Sequence, residues 1–457
     1  MSLTQYIYNN SPIFLQNIAC SLIGLKERKI RLGGNFSQYY ELLKETEWFS
    51  EEEIINYKNI KLQEIIKYSF NNVPYYRDLF IKHNLTPNDI KTVEDLCKIP
   101  ILDKEIVREQ FYNLKSKAFN RKVIHSHTSG STGKSLQFII PVDAIQYRWA
   151  LWFRHKSRFD VLPTDKYATF TGKVAIPINQ LYPPFWRENK SMNQTIFTMH
   201  HISKEKVPYI VERLNEGGFS YYTGYPSIIY SLAEIIKELD LKIINPPKII
   251  ITGAEALLKN HVKLISEVFS CPVTDQYGFS EACGNASRCE YGYFHEDFEY
   301  GILECNNPTY NKDGTKTGEI LATGFTNFAM PFIRYRVGDT ATWIKKECKC
   351  GRKSDVILEI NGRSEDFILT PEGNKILRFD YIFKDTLNVA EAQVTQKKLG
   401  EIIIRIIRRS GYSEKDENII IKEVHDKISP KLIVNFEYPS EIEREDSGKF
   451  RAVKSYL

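Results

Sequence analysis

The densest run of chemistry-bearing residues is His127-Thr128-Ser129-Gly130-Ser131-Thr132-Gly133-Lys134-Ser135. Its glycines, hydroxyls and lysine can turn backbone N–H groups, O–H donors and an ammonium toward phosphate oxygens. A Walker A loop would need glycine where Thr128 stands, so the run does not meet that pattern. The other reading is a Ser/Gly hairpin turn, because Gln137-Phe138-Ile139-Ile140 has the look of a returning strand. A second constellation joins Cys289 and His295 to Cys348-Lys349-Cys350. Three thiolates and an imidazole suit tetrahedral, structural Zn²⁺. Ordinary reduced thiols are the alternative, since the spacing is unlike that of zinc fingers, and Cys283 stands as a reserve ligand.

Further motifs follow in order: Thr252-Gly253-Ala254-Glu255, Gln276-Tyr277-Gly278-Phe279-Ser280-Glu281, Gly318-Glu319-Ile320, Tyr335-Arg336-Val337-Gly338-Asp339, Gly362-Arg363-Ser364-Glu365-Asp366 and Asp446-Ser447-Gly448-Lys449. With the Thr128 loop, this ordered set resembles the adenylate-forming superfamily of acyl- and aryl-CoA synthetases, luciferases and peptide-synthetase adenylation domains. The phenylacetate–CoA ligase branch is the nearest in pattern. It is matched through Val73-Pro74-Tyr75-Tyr76-Arg77, Ile99-Pro100-Ile101-Leu102-Asp103-Lys104, Pro331-Phe332-Ile333-Arg334 and Cys348-Lys349-Cys350-Gly351-Arg352. The first 50 residues, Ser11-Pro12 through Gly24-Leu25 above all, resemble the CapK-type members found with capsular-polysaccharide genes. The resemblance covers nearly the whole chain.

It implies an AMP-forming ligase that joins a small-molecule carboxylate first to ATP and then to an acceptor. Thr128 to Lys134 would hold the β- and γ-phosphates, with Thr128 and Lys134 catalytic. Gly253, Ala254 and Glu255 would line the adenine, Tyr277 would stack on it, and Gln276, Gly278 and Ser280 would complete the nucleotide site. Glu281 would carry Mg²⁺, a cation that prefers carboxylate oxygen. Asp339 would accept from the ribose hydroxyls, and Arg363 would support ribose or phosphates. Glu365 and Asp366 would form a hinge, where many relatives have Asp-Asp. Lys449 would bridge carboxylate and α-phosphate during adenylation, then swing away with the small domain. Relatives with zinc at matching positions extend the resemblance to Cys289, His295, Cys348 and Cys350. The acyl pocket is expected from the aromatic-rich stretch 170–226, with Tyr225, Pro226, Trp186 and His200 as lining candidates. Coenzyme A is the expected acceptor. An amine, such as a nucleotide-linked amino sugar, is the alternative that the capsule-type N-terminus suggests, and a non-catalytic nucleotide-binding protein is the weaker one.

The elements that must position these residues are α/β in class. Short β-like runs alternate with amphipathic helical runs from about 120 to 360, as in Lys248–Thr252, His261–Phe269 and Val273–Tyr277. Expected are a helical leader over 1–60, a large adenylating domain with mixed sheets over 61–364, and a small mobile α+β lid over 365–457. The lid is marked by Ile402–Ile407, Glu417–Ile428 and Leu432–Tyr438. The chain has 457 residues, 42 % hydrophobic and 26 % charged, which excludes a disordered chain, a collagen repeat and a disulfide-stapled miniprotein. A net charge of +5 over this length gives no footprint for nucleic acid. Eight sparse cysteines and no basic segment ahead of the apolar stretch 12–25 point to the cytoplasm. That stretch carries Gln16 and Asn17 and is too short to span a bilayer. The reading adopted for residues 11–25 is a helix docked on the protein's own core, and the alternative is contact with a membrane surface.

Overall fold

Local capping sets the first helices. In the computed structural model, residues 3–127, 136–363, 367–371, 375–376, 379–383, 386, 388–444 and 450–457 are described. The chain opens with α1 (Leu3–Asn10), α2 (Ile13–Leu32), α3 (Phe36–Thr46), α4 (Glu51–Asn72), α5 (Pro74–Lys82) and α6 (Lys104–Glu109). Ser50 caps α4 by accepting from the Glu53 amide at 3.3 Å, while the Glu53 carboxylate accepts from the Ser50 amide at 2.8 Å. Proline at the first position starts α5, and Asp103 caps α6 through the Ile106 amide at 3.1 Å. The Thr92 start signal yields only a 3-10 turn over Val93–Lys98. No break falls at the expected leader boundary: α4 runs straight through residue 60, and Leu62, Ile65 and Ile66 sink into the main core.

α2 is inverted relative to expectation. It meets the body with its polar side: Gln16 accepts from Arg187 Nε at 2.6 Å, Asn17 from the Glu188 amide at 2.9 Å and Ser21 from the Lys190 amide at 3.1 Å. Gly24 lets it approach, since a Cβ there would fall 1.9 Å from Asn189 Oδ1. Phe14, Leu15, Ile18, Leu22, Ile23 and Leu25 face outward and are exposed. The helix docks on the protein, but not by its apolar stripe. Among the described residues, no helix is long and apolar enough to cross a membrane.

The body continues with β1 (Val123–His127), β2 (Gln137–Pro141), α7 (Val142–Ser157), β3 (Tyr167–Thr171), β4 (Arg187–Asn189), β5 (Gln194–Thr198), α8 (Val207–Glu216), β6 (Tyr221–Gly224), α9 (Pro226–Glu238), β7 (Ile249–Gly253), α10 (Lys259–Phe269) and β8 (Val273–Gly278). Then come β9 (Asn285–Arg288), β10 (Phe294–Glu296), β11 (Gly301–Tyr310), β12 (Lys316–Gly324), β13 (Tyr335–Ile344) and β14 (Val356–Arg363). One 12-stranded sheet runs β11-β12-β13-β14-β10-β9-β8-β7-β6-β3-β5-β4. Strands β5, β3, β6, β7 and β8 are parallel, with α8, α9 and α10 linking β5 to β6, β6 to β7 and β7 to β8, while the sheet from β8 through β9, β10, β14, β13 and β12 to β11 is antiparallel. β1 and β2 form an antiparallel hairpin in which His127 opposes Gln137.

β15 (Ile368–Leu369) and β16 (Lys375–Ile376) pair with each other, and β17 (Val389–Lys398), β18 (Glu401–Arg408), α11 (Glu414–Lys427), β19 (Ile433–Glu437) and β20 (Val453–Ser455) complete the chain. The last group makes a four-stranded sheet β19-β18-β17-β20 over its own core of Ile402, Ile404, Ile406, Ile420 and Val424. The expected strand–helix–strand unit is there, with β18 and β19 parallel across α11. The whole is an α/β architecture with a large mixed sheet and a small C-terminal domain.

A buried ion network holds the leader to the body. Arg154 of α7 pairs with Asp297 at 2.7 Å and Glu299 at 2.5 Å, and the Thr46 hydroxyl donates to Glu299 at 2.6 Å. Glu47 sits between Arg158 at 2.7 Å and Arg352 at 2.6 Å.

Candidate active site

The parallel strands end where a cavity of about 2370 Å³ opens, between their carboxyl ends, β13 and the small domain. Gly253, Ala254, Glu255, Gln276, Tyr277, Gly278, Ser280, Glu281 and Asp339 all line it, so residues up to 86 positions apart in sequence share one wall. Ala254 takes a left-handed backbone (φ +70°), turning the chain sharply as β7 ends. The Tyr277 hydroxyl donates to Asp339 Oδ2 at 2.7 Å. Asp339 directly opposes Arg363 in the β13–β14 register, which brings both backbones to the same edge.

Glu281 is buried, and Tyr335 donates to its Oε1 at 2.7 Å. Burial pushes the Glu281 carboxyl up, while the Tyr335 hydroxyl and the nearby Lys104 ammonium pull it down. Burial, with Asp339 adding to it, also holds the Tyr277 hydroxyl well above the usual range. Lys104, which in the sequence stands only within the Ile99–Lys104 motif, gains a place in the site. In the structure it lines the cavity, and its Nζ would stand 3.1 Å from a Cβ on Gly338, whose φ of +90° favours glycine.

Glu255 also joins the two domains. It lines the cavity, but its carboxylate accepts from the amides of Phe450 at 2.7 Å and Ser227 at 3.2 Å. The small domain is thereby tied to the body. Arg444 adds a bond to Ser227 Oγ at 2.9 Å and an ion pair with Glu391, and Arg409 reaches Glu234 and Tyr230 on α9. Thr128, Ser129, Gly130, Ser131, Thr132, Gly133, Lys134, Glu365, Asp366 and Lys449 lie outside the described residues, as does the Arg363 side chain.

Of the acyl-pocket candidates, Tyr225 lines the cavity, while Pro226, Trp186 and His200 do not. Pro226 starts α9, Trp186 packs on Phe197 and Arg213 across the sheet, and His200 is exposed. The wall that sequence reading missed is α7. Arg148, Trp149, Trp152 and Lys156 recur at helical spacing on one face of it. They share the cavity wall with Thr169, Thr171, Thr223, Ile251, Asp275 and Tyr277 of the sheet. The helical period of Trp149, Trp152 and Lys156 was the available signal.

Cys289 follows β9, His295 lies in β10, and Cys348 and Cys350 follow β13. All four are buried, with ligand atoms within 4.8 Å of one another. The Cys289–Cys348 Sγ separation is 3.7 Å and Cys350 Sγ to His295 Nε2 is 3.2 Å. Two thiolates on a tetrahedral ion with bonds of ~2.3 Å would stand about 3.8 Å apart, so the set fits zinc. Burial lowers the His295 pKa to about 4, leaving a neutral imidazole. Cys283 is elsewhere, packed where a Cβ on Gly324 would come within 2.7 Å of its own.

Residues 368–456 match the CapK C-terminal domain family. Protein CapK of Staphylococcus aureus is 27 % identical over 98 % of this chain and 98 % of its own length. The chain is a homologue of CapK. Phenylacetate–coenzyme A ligase of Escherichia coli (strain K12) is a further homologue, 24 % identical over 70 % of this chain and 73 % of its own. The crystal structure of 2-hydroxyisobutyryl-CoA ligase in the postadenylation state superposes with a TM-score of 0.67 at 17 % identity, covering 89 % of this chain and 90 % of that one. The chain therefore has the fold of the adenylate-forming CoA ligases.

Proposed function

We propose that the chain is an AMP-forming ligase that activates a carboxylic acid with ATP and transfers the acyl group to coenzyme A. The observation that carries the reading is the shared wall of Asp339, Tyr277 and Glu281 at the carboxyl edge of the parallel strands, facing Phe450 of the small domain. The homologous phenylacetate–coenzyme A ligases support it.

In the first half-reaction a carboxylate oxygen attacks the α-phosphorus of ATP, and the bond to the bridging oxygen breaks to release pyrophosphate. Asp339, oriented by Tyr277, accepts from the ribose hydroxyls, and Glu281 offers the carboxylate for Mg²⁺, which offsets phosphate charge when bound. The loop Thr128–Lys134 holds the phosphates. Lys449, one residue before Phe450, stabilises charge on the reacting carboxylate and α-phosphate. In the second half-reaction the thiolate of coenzyme A attacks the acyl carbon and AMP leaves. No enzyme nucleophile is required. A Zn²⁺ held by Cys289, His295, Cys348 and Cys350 would fasten the β9–β10 turn to the segment after β13 and take no part in either step. Supply of ATP and coenzyme A places this work on the cytoplasmic side.

Mass spectrometry of products formed from an acid library, ATP and either coenzyme A or an amino sugar tests the acceptor. Acyl-CoA together with AMP is the expected outcome. An amide formed in preference to the thioester would replace the acceptor, and ADP in place of AMP would overturn the reading.

A further inference from the structure

Lys156 is 6 % exposed, yet it lines the cavity and makes no hydrogen bond or ion pair among the described residues. Its ammonium stands 4.2 Å from the Phe153 ring centre, 5.3 Å from Tyr221 and 5.4 Å from Trp149. Buried ammonium groups ordinarily have an acidic partner. Here the nearest charge that bears on it is another cation, Arg31. Tyr221 opens β6, whereas Gly224 closes it at the nucleotide end, so Lys156 lies roughly 10 Å deeper along the groove at ~3.3 Å per residue.

We propose that Lys156 is the anchor for a second anionic group, at the far end of the acyl chain, so that the substrates are acids carrying a distal carboxylate or equivalent anion. This rests on the ligase reading. The aromatic walls exclude water and strengthen the pairing, and the groove length matches a chain of about eight carbons.

Suberate and octanoate, of equal length and differing only in the distal group, supply the test. Wild-type protein is expected to favour suberate by about tenfold or more in kcat/KM in ATP–pyrophosphate exchange. Lys156→Met and Lys156→Gln are expected to bring the ratio near one, chiefly through KM for suberate. Equal use of the two acids by wild type, or a preference that survives both substitutions, overturns the subsite. Tryptophan fluorescence titration with suberate needs no turnover. Binding that both variants lose, with no exchange by any acid, counts against the ligase reading and supports the subsite. Absence of binding to wild type overturns the subsite.

A separate observation concerns α2. At about 100° per residue, Phe14, Ile18, Leu22 and Leu25 fall in one outward arc, and Lys26 and Lys29 prolong it. Phe14 is 62 % and Leu22 64 % exposed. Residues 1–26 contain no Asp or Glu, and Glu27 is paired with Arg31. The arc is therefore apolar with only cations at its rim. Cations at the edge of an apolar face complement an anionic surface. We infer that it rests on an anionic lipid surface, apolar side chains in the interface and lysines at the headgroups.

Flotation of the full chain with phosphatidylglycerol-containing vesicles tests this against pure phosphatidylcholine. Wild type is expected to float with the anionic vesicles only, and Ile18→Asp with Leu22→Asp, or Lys26→Glu with Lys29→Glu, to remain below. No flotation at low salt overturns the inference, as does flotation unaffected by either pair. A wild-type dimer that Ile18→Asp with Leu22→Asp splits, without vesicle binding, assigns the face to a second copy and also overturns it.

Discussion

The Tyr277 hydroxyl stands 2.7 Å from Asp339 Oδ2, joining the end of β8 to the middle of the wall formed by β13. Both groups line the same cavity, and burial keeps the phenol protonated, so it can only donate to the carboxylate. Tyr277 is thus a positioning residue for Asp339 as well as an aromatic face. Tyr277→Phe is expected to weaken ATP binding by about 3- to 10-fold, and Asp339→Ala by more than that, since hydrogen bonds to charged groups are worth ~1.5–3 kcal/mol. Calorimetric titration with ATP checks both. Unchanged affinity in Asp339→Ala contradicts the assignment.

The cysteine–histidine cluster should bind about one zinc ion per chain, measured by elemental analysis of protein purified without chelator. Cys348→Ser should lose the ion and lower the melting temperature by several degrees. Arg352, close behind Cys350, is bonded to the buried network around Glu47, so loosening this segment also frees the leader. ATP affinity should change little, because the cluster's residues are absent from the cavity wall. Metal-free wild type with full stability is the contrary result.

Lys156 makes stability depend on pH in a stated direction. Burial, with Arg31 adding to it, lowers its pKa from 10.5 to about 7, while the phenols of Tyr167 and Tyr221 beside it stay neutral. Between about 7 and 10.5 the unfolded chain binds more protons at this site than the folded one, so its contribution to stability rises with pH. Below about 7 the cost of the buried charge is fully present. Lys156→Met should therefore raise the melting temperature most at pH 6 and progressively less toward pH 10. A difference independent of pH contradicts the burial argument.

Glu255 latches the small domain through the Phe450 amide. Glu255→Ala should raise the fraction of undocked small domain by about tenfold or more, the equivalent of one hydrogen bond to a charged group. Limited proteolysis near residues 364–366 reads this as faster cleavage. Cleavage at the wild-type rate would show that Arg409 and Arg444 suffice.

Much of the site was legible because its motifs sit at strand ends, where residue type is dictated by backbone turn and ligand approach. Gly253-Ala254-Glu255 and Tyr277 to Glu281 are contiguous in sequence and stay contiguous on the cavity wall. The α7 wall was not, since two tryptophans on a helix read equally well as core. Trp186 and Lys156 carry no mark in the sequence that tells the far side of the sheet from the near one. Nor could periodicity orient α2: the stripe was visible, but its docking through Gln16, Asn17 and Ser21 depends on which partners β4 offers. Glu255 lines the wall, but its bond to the Phe450 amide depends on a segment 195 residues away.

Adenylation itself is tested most directly by carboxylate-dependent ATP–pyrophosphate exchange in wild type and Lys449→Ala. Wild type should exchange pyrophosphate only when a suitable acid is present, and Lys449→Ala should fall by about a hundredfold or more while still binding ATP. Exchange at the wild-type rate in Lys449→Ala, or exchange independent of any acid, contradicts the account.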